Sequence, residues 1–394
     1  MRHFYACYRW LSVVLLLLIS AVSCRAPVPT PEPGSEPPPP AGFWLTRPAP
    51  VAWADDLDRA SLLQALQRSL AYARRLPPDK PLAFGDRQIP AATLRQTLET
   101  LEQILATATT PAALWQALQT HFEVVQSPGR DGQGEVLFTG YYEIELEGSL
   151  TPSPQFPYPL YKRPPEFGNA GGPASSERYY TRQEIDGAGK LRRRGLELLW
   201  LRNPVDGFFL HVQGSGQIRL SNGRVQRVAY AGSNGHPYYS LGRMLLDEGR
   251  VPREGMSMQS LRRYVQSHPE ETARLLQRNP RYIFFRQVEH GPQGNLGLLL
   301  VPGRSIATDQ TLFPAGGVAF VQFQQPVLNA QGEITAWRPA SRLVFNHDTG
   351  SAITGPGRVD LFWGNGAVAE MAAGHMQHTG ALFFLLSKRA GVGR

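Results

Sequence analysis

Apolar positions change their spacing along the chain, and the changes divide it. Between residues 55 and 124 they recur at helical intervals: Leu57, Leu62, Leu63, Leu66, Leu70 and Tyr72, then Leu94, Leu98, Leu101, Ile104 and Leu105. Trp115, Leu118 and Phe122 extend the series, which predicts helices packed on a β core rather than a functional surface. From Glu135 the period shortens. Residues 136–143 read as a strand broken at Gly140, where a bulge or a ligand close to the backbone calls for glycine. Residues 151–173, rich in Pro and Gly, read as loop. Strand-like runs follow at 196–201, 207–213, 216–220 and 225–230. A helical region at 257–277, capped at Ser257 and broken at His268-Pro269, interrupts them. Strands resume at 282–286, 296–301, 318–323, 343–345, 359–363 and 381–387.

The N-terminus departs from both patterns. Arg2 and Arg9 precede an apolar run from Leu11 to Val22 that is short for a membrane span and fits a secretory signal, residues 1–23. It ends Ala21-Val22-Ser23-Cys24, which resembles a bacterial lipoprotein processing site, although Ala21 stands where leucine is usual. Ordinary cleavage after Ser23 is the competing reading. Residues 24–50 then hold the lipidation candidate Cys24 and a proline-rich tether. At roughly 3 Å per residue such a segment holds a folded body on the order of 50 Å from an anchor. Cys7 leaves with the signal, so the exported chain is expected to have no internal disulfide and to depend on its core.

Composition narrows the class only a little. With 394 residues the chain has room for two or three domains, and Gly 39 with Pro 34 favours turn-rich β architecture over a helical bundle. A net charge of +8 gives a mild preference for acidic partners. No basic run exceeds Arg192-Arg193-Arg194 and no nucleic-acid motif is present, so nucleic acid is not expected as a partner.

Candidate chemistry concentrates near the end. Asp348 and Asp360 lie twelve positions apart with glycine-rich backbone between them. Val359, Leu361 and Phe362 place Asp360 in a strand whose neighbours seek burial, where desolvation raises a carboxyl pKa toward that of a general acid. Asp348-Thr349-Gly350-Ser351 matches the aspartic-protease signature, but no second copy exists to complete a monomeric dyad. His375 and His378 have a spacing that puts both on one helical face, without an intervening Glu or an evident third ligand. No metal or cofactor is therefore expected. Asp309, in a polar glycine-flanked segment, and residues 206–216, an alternating strand delivering Gln213 into a glycine-rich turn, complete a polar groove suited to a sugar.

Several blocks, in order, resemble the membrane-bound lytic murein transglycosylase A family, with its C-terminal three-aspartate domain. They are Phe-Thr-Gly-Tyr-Tyr-Glu at 138–143, Asp-Gly-Phe-Phe-Leu-His-Val-Gln-Gly-Ser-Gly at 206–216, Tyr-Ala-Gly-Ser-Asn-Gly-His-Pro-Tyr at 230–238, and Asp309, Asp348 and Asp360. The resemblance runs from about Glu135 to Lys388. It implies a mainly β fold: a double-psi β-barrel with a smaller inserted β domain, beside the N-terminal helices. The corresponding division is 51–145 for the helices and first part of the barrel, 146–300 for the insert and 301–394 for the rest of the barrel. It also implies cleavage of the β-1,4 bond between N-acetylmuramic acid and N-acetylglucosamine in peptidoglycan, leaving 1,6-anhydromuramic acid. Asp360 falls at the catalytic position and Asp348 at a nearby supporting carboxylate. Thr139, Gly140, Tyr141 and Gln213 fall where the family lines its groove; with Gly214, Ser215 and Asp309 they are the candidate substrate-binding residues. The implied setting is the periplasm, anchored to the outer membrane. A lone acid serves because the sugar's own C6 hydroxyl attacks, so no second carboxylate has to activate water. The alternative is a barrel that binds peptidoglycan without cutting it.

Overall fold

The computed structural model describes residues 43–45, 54–167, 178–252 and 256–388. The signal, Cys24 and the tether up to residue 42 lie outside them, whereas the tether's expected end is not free: Phe43 is buried in the barrel core and Leu45 bridges to Gln126 of β3. The first half of the chain gives α1 (Arg59–Arg75), the hairpin β1 (Pro81–Phe84) and β2 (Arg87–Pro90), α2 (Ala91–Thr107), α3 (Pro111–His121), β3 (Phe122–Gln126), β4 (Val136–Ser149), β5 (Tyr158–Tyr161) and β6 (Glu197–Leu201). It continues with α4 (Pro204–Gln213), β7 (Ser215–Leu220), β8 (Val225–Ser233), α5 (Leu241–Asp247), α6 (Met258–Ser267), α7 (Thr272–Gln277) and β9 (Ile283–Val288). The last part holds β10 (Ser305–Ala307), β11 (Val318–Leu328), β12 (Ile334–Asp348), β13 (Arg358–Asn365), α8 (Gly366–His375) and β14 (Gln377–Ser387).

Six of these strands close on themselves. Hydrogen bonding runs β4–β14–β11–β12–β10–β13 and back to β4, a double-psi barrel without a free edge. Its core joins Phe138, Ile306, Val344, Phe345, Val359 and Leu361 to the inner faces of α1 and α2. The inserted sheet grows from the same β4: its distal half pairs with β7 and β6, and β8 and β9 continue outward. A second core beneath that sheet holds Tyr142, Ile144, Ile218, Val228 and Phe285 and takes in Ala369 and Ala373 of α8. Barrel and insert thus share a strand and a helix.

The chain entering α1 is bound to the barrel by two buried arginines. Arg304 is 0% exposed and meets both oxygens of Asp55, and Arg342 meets both oxygens of Asp56 at 2.7 and 2.8 Å. A guanidinium so far from water is tolerable only because the carboxylate and neighbouring carbonyls satisfy it. Among the described residues no helix is long and apolar enough to cross a membrane.

Several sequence expectations are corrected. Residues 207–213 are not a strand; they complete α4, because Asn203 caps the Val205 N–H at 2.8 Å, Pro204 starts the helix and Gly214 ends it at φ +77°. Val205, Phe208 and Phe209 bury at helical spacing. Residues 296–301 form no strand, since Gly297 turns at φ +70° and only a single bridge joins Gln293 to Leu299. The helical stretch 55–124 contains the β1–β2 hairpin, turned at Gly85 with φ +67°, and Phe122 opens β3. Within 151–173 residues 158–161 form β5, and β4 passes Gly140 unbroken. His375 ends α8 whereas His378 lies in β14 against Trp337, so they share no helical face. The capping box at Ser257 and the break after α6 are as read.

Asp55→Ala is expected to cost about 3–5 kcal/mol by stranding Arg304. The loss reads as a lower urea midpoint, and adding Arg304→Met recovers most of it.

Candidate active site

Asp348 and Asp360 are brought together by the shortest strand of the barrel. Ala307 of β10 stands opposite Asp360 in the antiparallel register with β13 and opposite Asp348 in the parallel register with β12. The two carboxylates therefore leave the barrel wall at one level, on either side of a single residue. Alternation along β13 sends Val359 and Leu361 into the core and leaves Arg358 and Asp360 on the other face.

β4 supplies the next row. Thr139 stands opposite Asp360, and its hydroxyl donates to Asp360 Oδ1 at 2.9 Å; Arg358 Nη2 donates to the same hydroxyl oxygen at 3.3 Å. One alternation along, the Tyr141 hydroxyl donates to Asp348 Oδ2 at 3.2 Å. Backbone N–H groups of Asn295 and Thr349 donate to Asp348 Oδ1 at 2.8 and 2.9 Å. Behind this row His347 is buried between Ser305 and Ser69, with its nitrogens 2.8 and 2.9 Å from their hydroxyls. Burial, with the charge of Arg68, pushes the His347 imidazole down to about 3, so it stays neutral and acts as a polar tie from α1 to β10 and β12.

Burial dominates the electrostatics of both aspartates. It raises Asp360 to about 6 against the Thr139 hydrogen bond and the Arg358 charge; the Asp348 charge adds least. Asp348 rises to about 6 for the same reason, although three donors favour its ionised form. Burial and both aspartates hold the Tyr141 hydroxyl well above its usual range, so it remains a donor. The pair thus carries protons in mildly acidic water, chiefly through desolvation.

The remaining candidates have varied surroundings. Gly140 faces packing: a Cβ there would meet the Trp363 ring at 2.7 Å and the Ala373 Cα at 2.8 Å. Gln213 closes the end of α4 over β4, its Oε1 accepting from the Tyr142 N–H at 3.1 Å and its amide reaching Met258 Sδ at 3.3 Å. Gly214 is the left-handed cap of α4, and Ser215 is a buried residue of β7. Asp309 lies in a turn, accepting from the Thr311 N–H and hydroxyl and from the Gly355 N–H, and so fixes the loop between the two central aspartates. Arg358 and Asn295 escaped the sequence reading. Arg358 sits two positions before Asp360 on the same strand face, a signal that was present; Asn295 acts through its backbone, which residue type does not report. Among the described residues no cluster of three His, Cys, Asp or Glu is placed to hold a metal.

Comparison with known proteins agrees with this architecture. Residues 137–286 match the MltA specific insert domain and residues 304–386 the 3D domain. A membrane-bound lytic murein transglycosylase A of Vibrio cholerae is 35% identical over 300 residues, 75% of this chain and 76% of that protein. The crystal structure of a membrane-bound lytic murein transglycosylase from Agrobacterium tumefaciens superposes with a TM-score of 0.70 at 33% identity, covering 85% of this chain and 97% of that one. The E. coli MltA structure with bound chitohexaose gives 0.69 at 27% identity, covering 87% and 93%. The double-psi barrel with its inserted sheet thus belongs to a class of enzymes. The chain is a member of the membrane-bound lytic murein transglycosylase A family.

Thr139→Val removes a donor to ionised Asp360. The Asp360 pKa is expected to rise above about 6 in a carboxyl-carbon NMR titration, and an unchanged or lower value contradicts the assignment.

Proposed function

We propose that the chain is a peptidoglycan lytic transglycosylase that cleaves the β-1,4 bond between N-acetylmuramic acid and N-acetylglucosamine, with Asp360 as its lone acid and then base. The supporting observation is the half-buried Asp360 carboxyl, raised to about 6 and held by Thr139 through one oxygen. Its proton passes to the glycosidic oxygen as the C1–O4 bond breaks. The muramyl C6 hydroxyl then attacks C1, forms the C1–O6 bond and returns its proton to Asp360. The products are a free O4 hydroxyl and a 1,6-anhydromuramyl end; no water is consumed. Attack from within the same sugar provides the effective concentration that a bound water otherwise would.

In this reading Thr139 orients the acid, and Tyr141 with the Asn295 and Thr349 amides holds Asp348. Asp348 lies across β10 and, on this reading, stabilises positive charge developing at C1 when it is ionised. The named activity of the Vibrio cholerae relative and the chitohexaose in the E. coli structure favour a glycan substrate. The membrane-bound relatives agree with a lipid anchor at Cys24, export to the periplasm and attachment to the outer membrane. The substrate strands are then the only partners the reading requires, and no cofactor enters it.

Asp360→Asn is expected to lower sacculus digestion by at least about a thousandfold while sacculus binding persists. Mass spectrometry of the wild-type products should show anhydromuramyl ends. Reducing ends would overturn the mechanism, and binding without soluble products would favour a non-catalytic wall-binding protein. Because the acid must start protonated, kcat/KM should fall about tenfold per unit as pH rises beyond about 6.

The folded state also binds this proton more tightly than the unfolded chain, so the stability it lends is present below about 4 and lost as pH rises through about 6. Asp360→Asn should therefore raise Tm at pH 7 more than at pH 4.

A further inference from the structure

The polar row that begins at the aspartates does not end with Tyr141. Alternation along β4 places Thr139, Tyr141, Glu143 and Glu145 on one face, with Tyr142, Ile144 and Leu146 in the core beneath. Glu143 lies about 7 Å beyond Tyr141 along the strand. It is 1% exposed, and its oxygens accept from Arg227 Nη1 at 2.8 and 3.0 Å, Gln217 Nε2 at 2.6 Å and Asn365 Nδ2 at 3.4 Å. A buried carboxylate is costly unless it is paired and hydrogen-bonded. Here it fixes an arginine. Both bonds leave from Nη1, and among the described residues Nε and Nη2 make no protein hydrogen bond, while the side chain stays 28% exposed.

A second arginine shares this face. The registers Gln217↔Arg227↔Val288 and Ser215↔Ala229↔Arg286 set Arg286 diagonally beside Arg227. Arg286 is exposed, and its Nη2 donates to Gln293 Oε1 at 2.9 Å, on the segment whose Asn295 amide holds Asp348. Two guanidiniums against one buried carboxylate leave a net positive shelf on the sheet face that Thr139 and Tyr141 begin. Farther out, Glu145 is matched by Arg219 and the face returns to neutral.

We infer that Arg227 and Arg286 form a specificity shelf for the carboxylate-bearing peptide that hangs from the muramyl sugar. The inference rests on the murein reading above. Sugar hydroxyls and acetamides are neutral and are served by amides and hydroxyls; a guanidinium fork is matched to a carboxylate. On a peptide-substituted murein strand the lactyl carboxyl is tied up in its amide to the stem, so only the stem carries free carboxylates. Glu143 fixes the Arg227 guanidinium before substrate arrives, so little side-chain entropy is lost on binding. The enzyme thereby distinguishes peptide-substituted strands from bare glycan of the same backbone.

The test compares kcat/KM of the full chain on peptide-bearing glycan strands and on the same strands stripped by an amidase, with the lactyl carboxyls that the amidase frees converted to primary amides. Wild type should prefer the peptide-bearing strands, and Arg227→Gln should lower the ratio of the two values by about tenfold, the weight of one charge-assisted hydrogen bond. Since Arg227→Gln strands Glu143 and can impair folding, Arg286→Gln, an exposed position, provides a second variant and should lower the ratio in the same direction. Converting the peptide carboxylates of the substrate to primary amides should produce the same loss with wild-type enzyme. Equal rates on the two strands, or variants that slow both alike, overturn the shelf while leaving the transglycosylase reading intact. Failure of wild type to cut either strand overturns that reading itself.

Discussion

Everything at this site depends on the register of β4. Its first residues close the barrel between β13 and β14, and its later ones found the inserted sheet beside β7. The side-chain period of a strand is two, so one register fixes every residue at once. Phe138, Tyr142 and Ile144 enter two different cores, and Thr139, Tyr141 and Glu143 turn to the opposite, polar face. A slip of one residue would bury the threonine that donates to Asp360 and expose the phenylalanine that anchors the barrel. The apolar positions therefore hold the polar ones in place, and packing in the core is converted into geometry at the site.

The short strand β10 imposes the complementary condition. Three residues, all buried, separate two carboxylates that water would otherwise keep apart and ionised. Burial raises both, and the surroundings then divide their roles: Asp360 has one hydroxyl donor and a nearby arginine, whereas Asp348 has a tyrosine and two backbone amides. The site is costly in the folded state, and the buried arginine ties at Asp55 and Asp56 and the neutral His347 bridge fasten α1 and the chain entering it to the strands next to β10.

Much of this was legible in the chain. The helical period of α1 and α2 survives because each buries one stripe against the barrel, and Asp360 was readable because Val359 and Leu361 flank it. The Phe208-Phe209-Leu210 run misled, since a continuous apolar run fits either period; the Asn203 cap and the Gly214 terminus decide it. The segment 296–301 looked like a strand for its leucines, but Gly297 turns it at φ +70°, and just before it Gly294 passes so close to β12 that a side chain there would strike the His347 carbonyl at 2.4 Å. Gly140 was read as a bulge or a place where a ligand approaches the backbone; the close approach in the fold is made by Trp363 and α8. β10 is too short to show any period, α8 is made of small residues with little amphipathic contrast, and an amide donor such as Asn295 leaves no mark in the sequence. What was lost is tertiary in origin: who pairs with whom across long separations.

That separation gives the barrel a history. The ring closes where β14 meets β4, joining Gln377 to Thr139, with the whole inserted sheet and both aspartates between them in the chain. Contacts so distant are slow to form, because the intervening chain must first surrender its freedom. The insert, built largely from neighbouring strands and helices, is favoured to order earlier, and the barrel wall that raises the acid is completed late. An acid that acquires its proton affinity from burial is an ordinary, ionised aspartate until that moment. On the proposed reading, an enzyme assembled in this order would lack its acid until the last strand of the ring has paired.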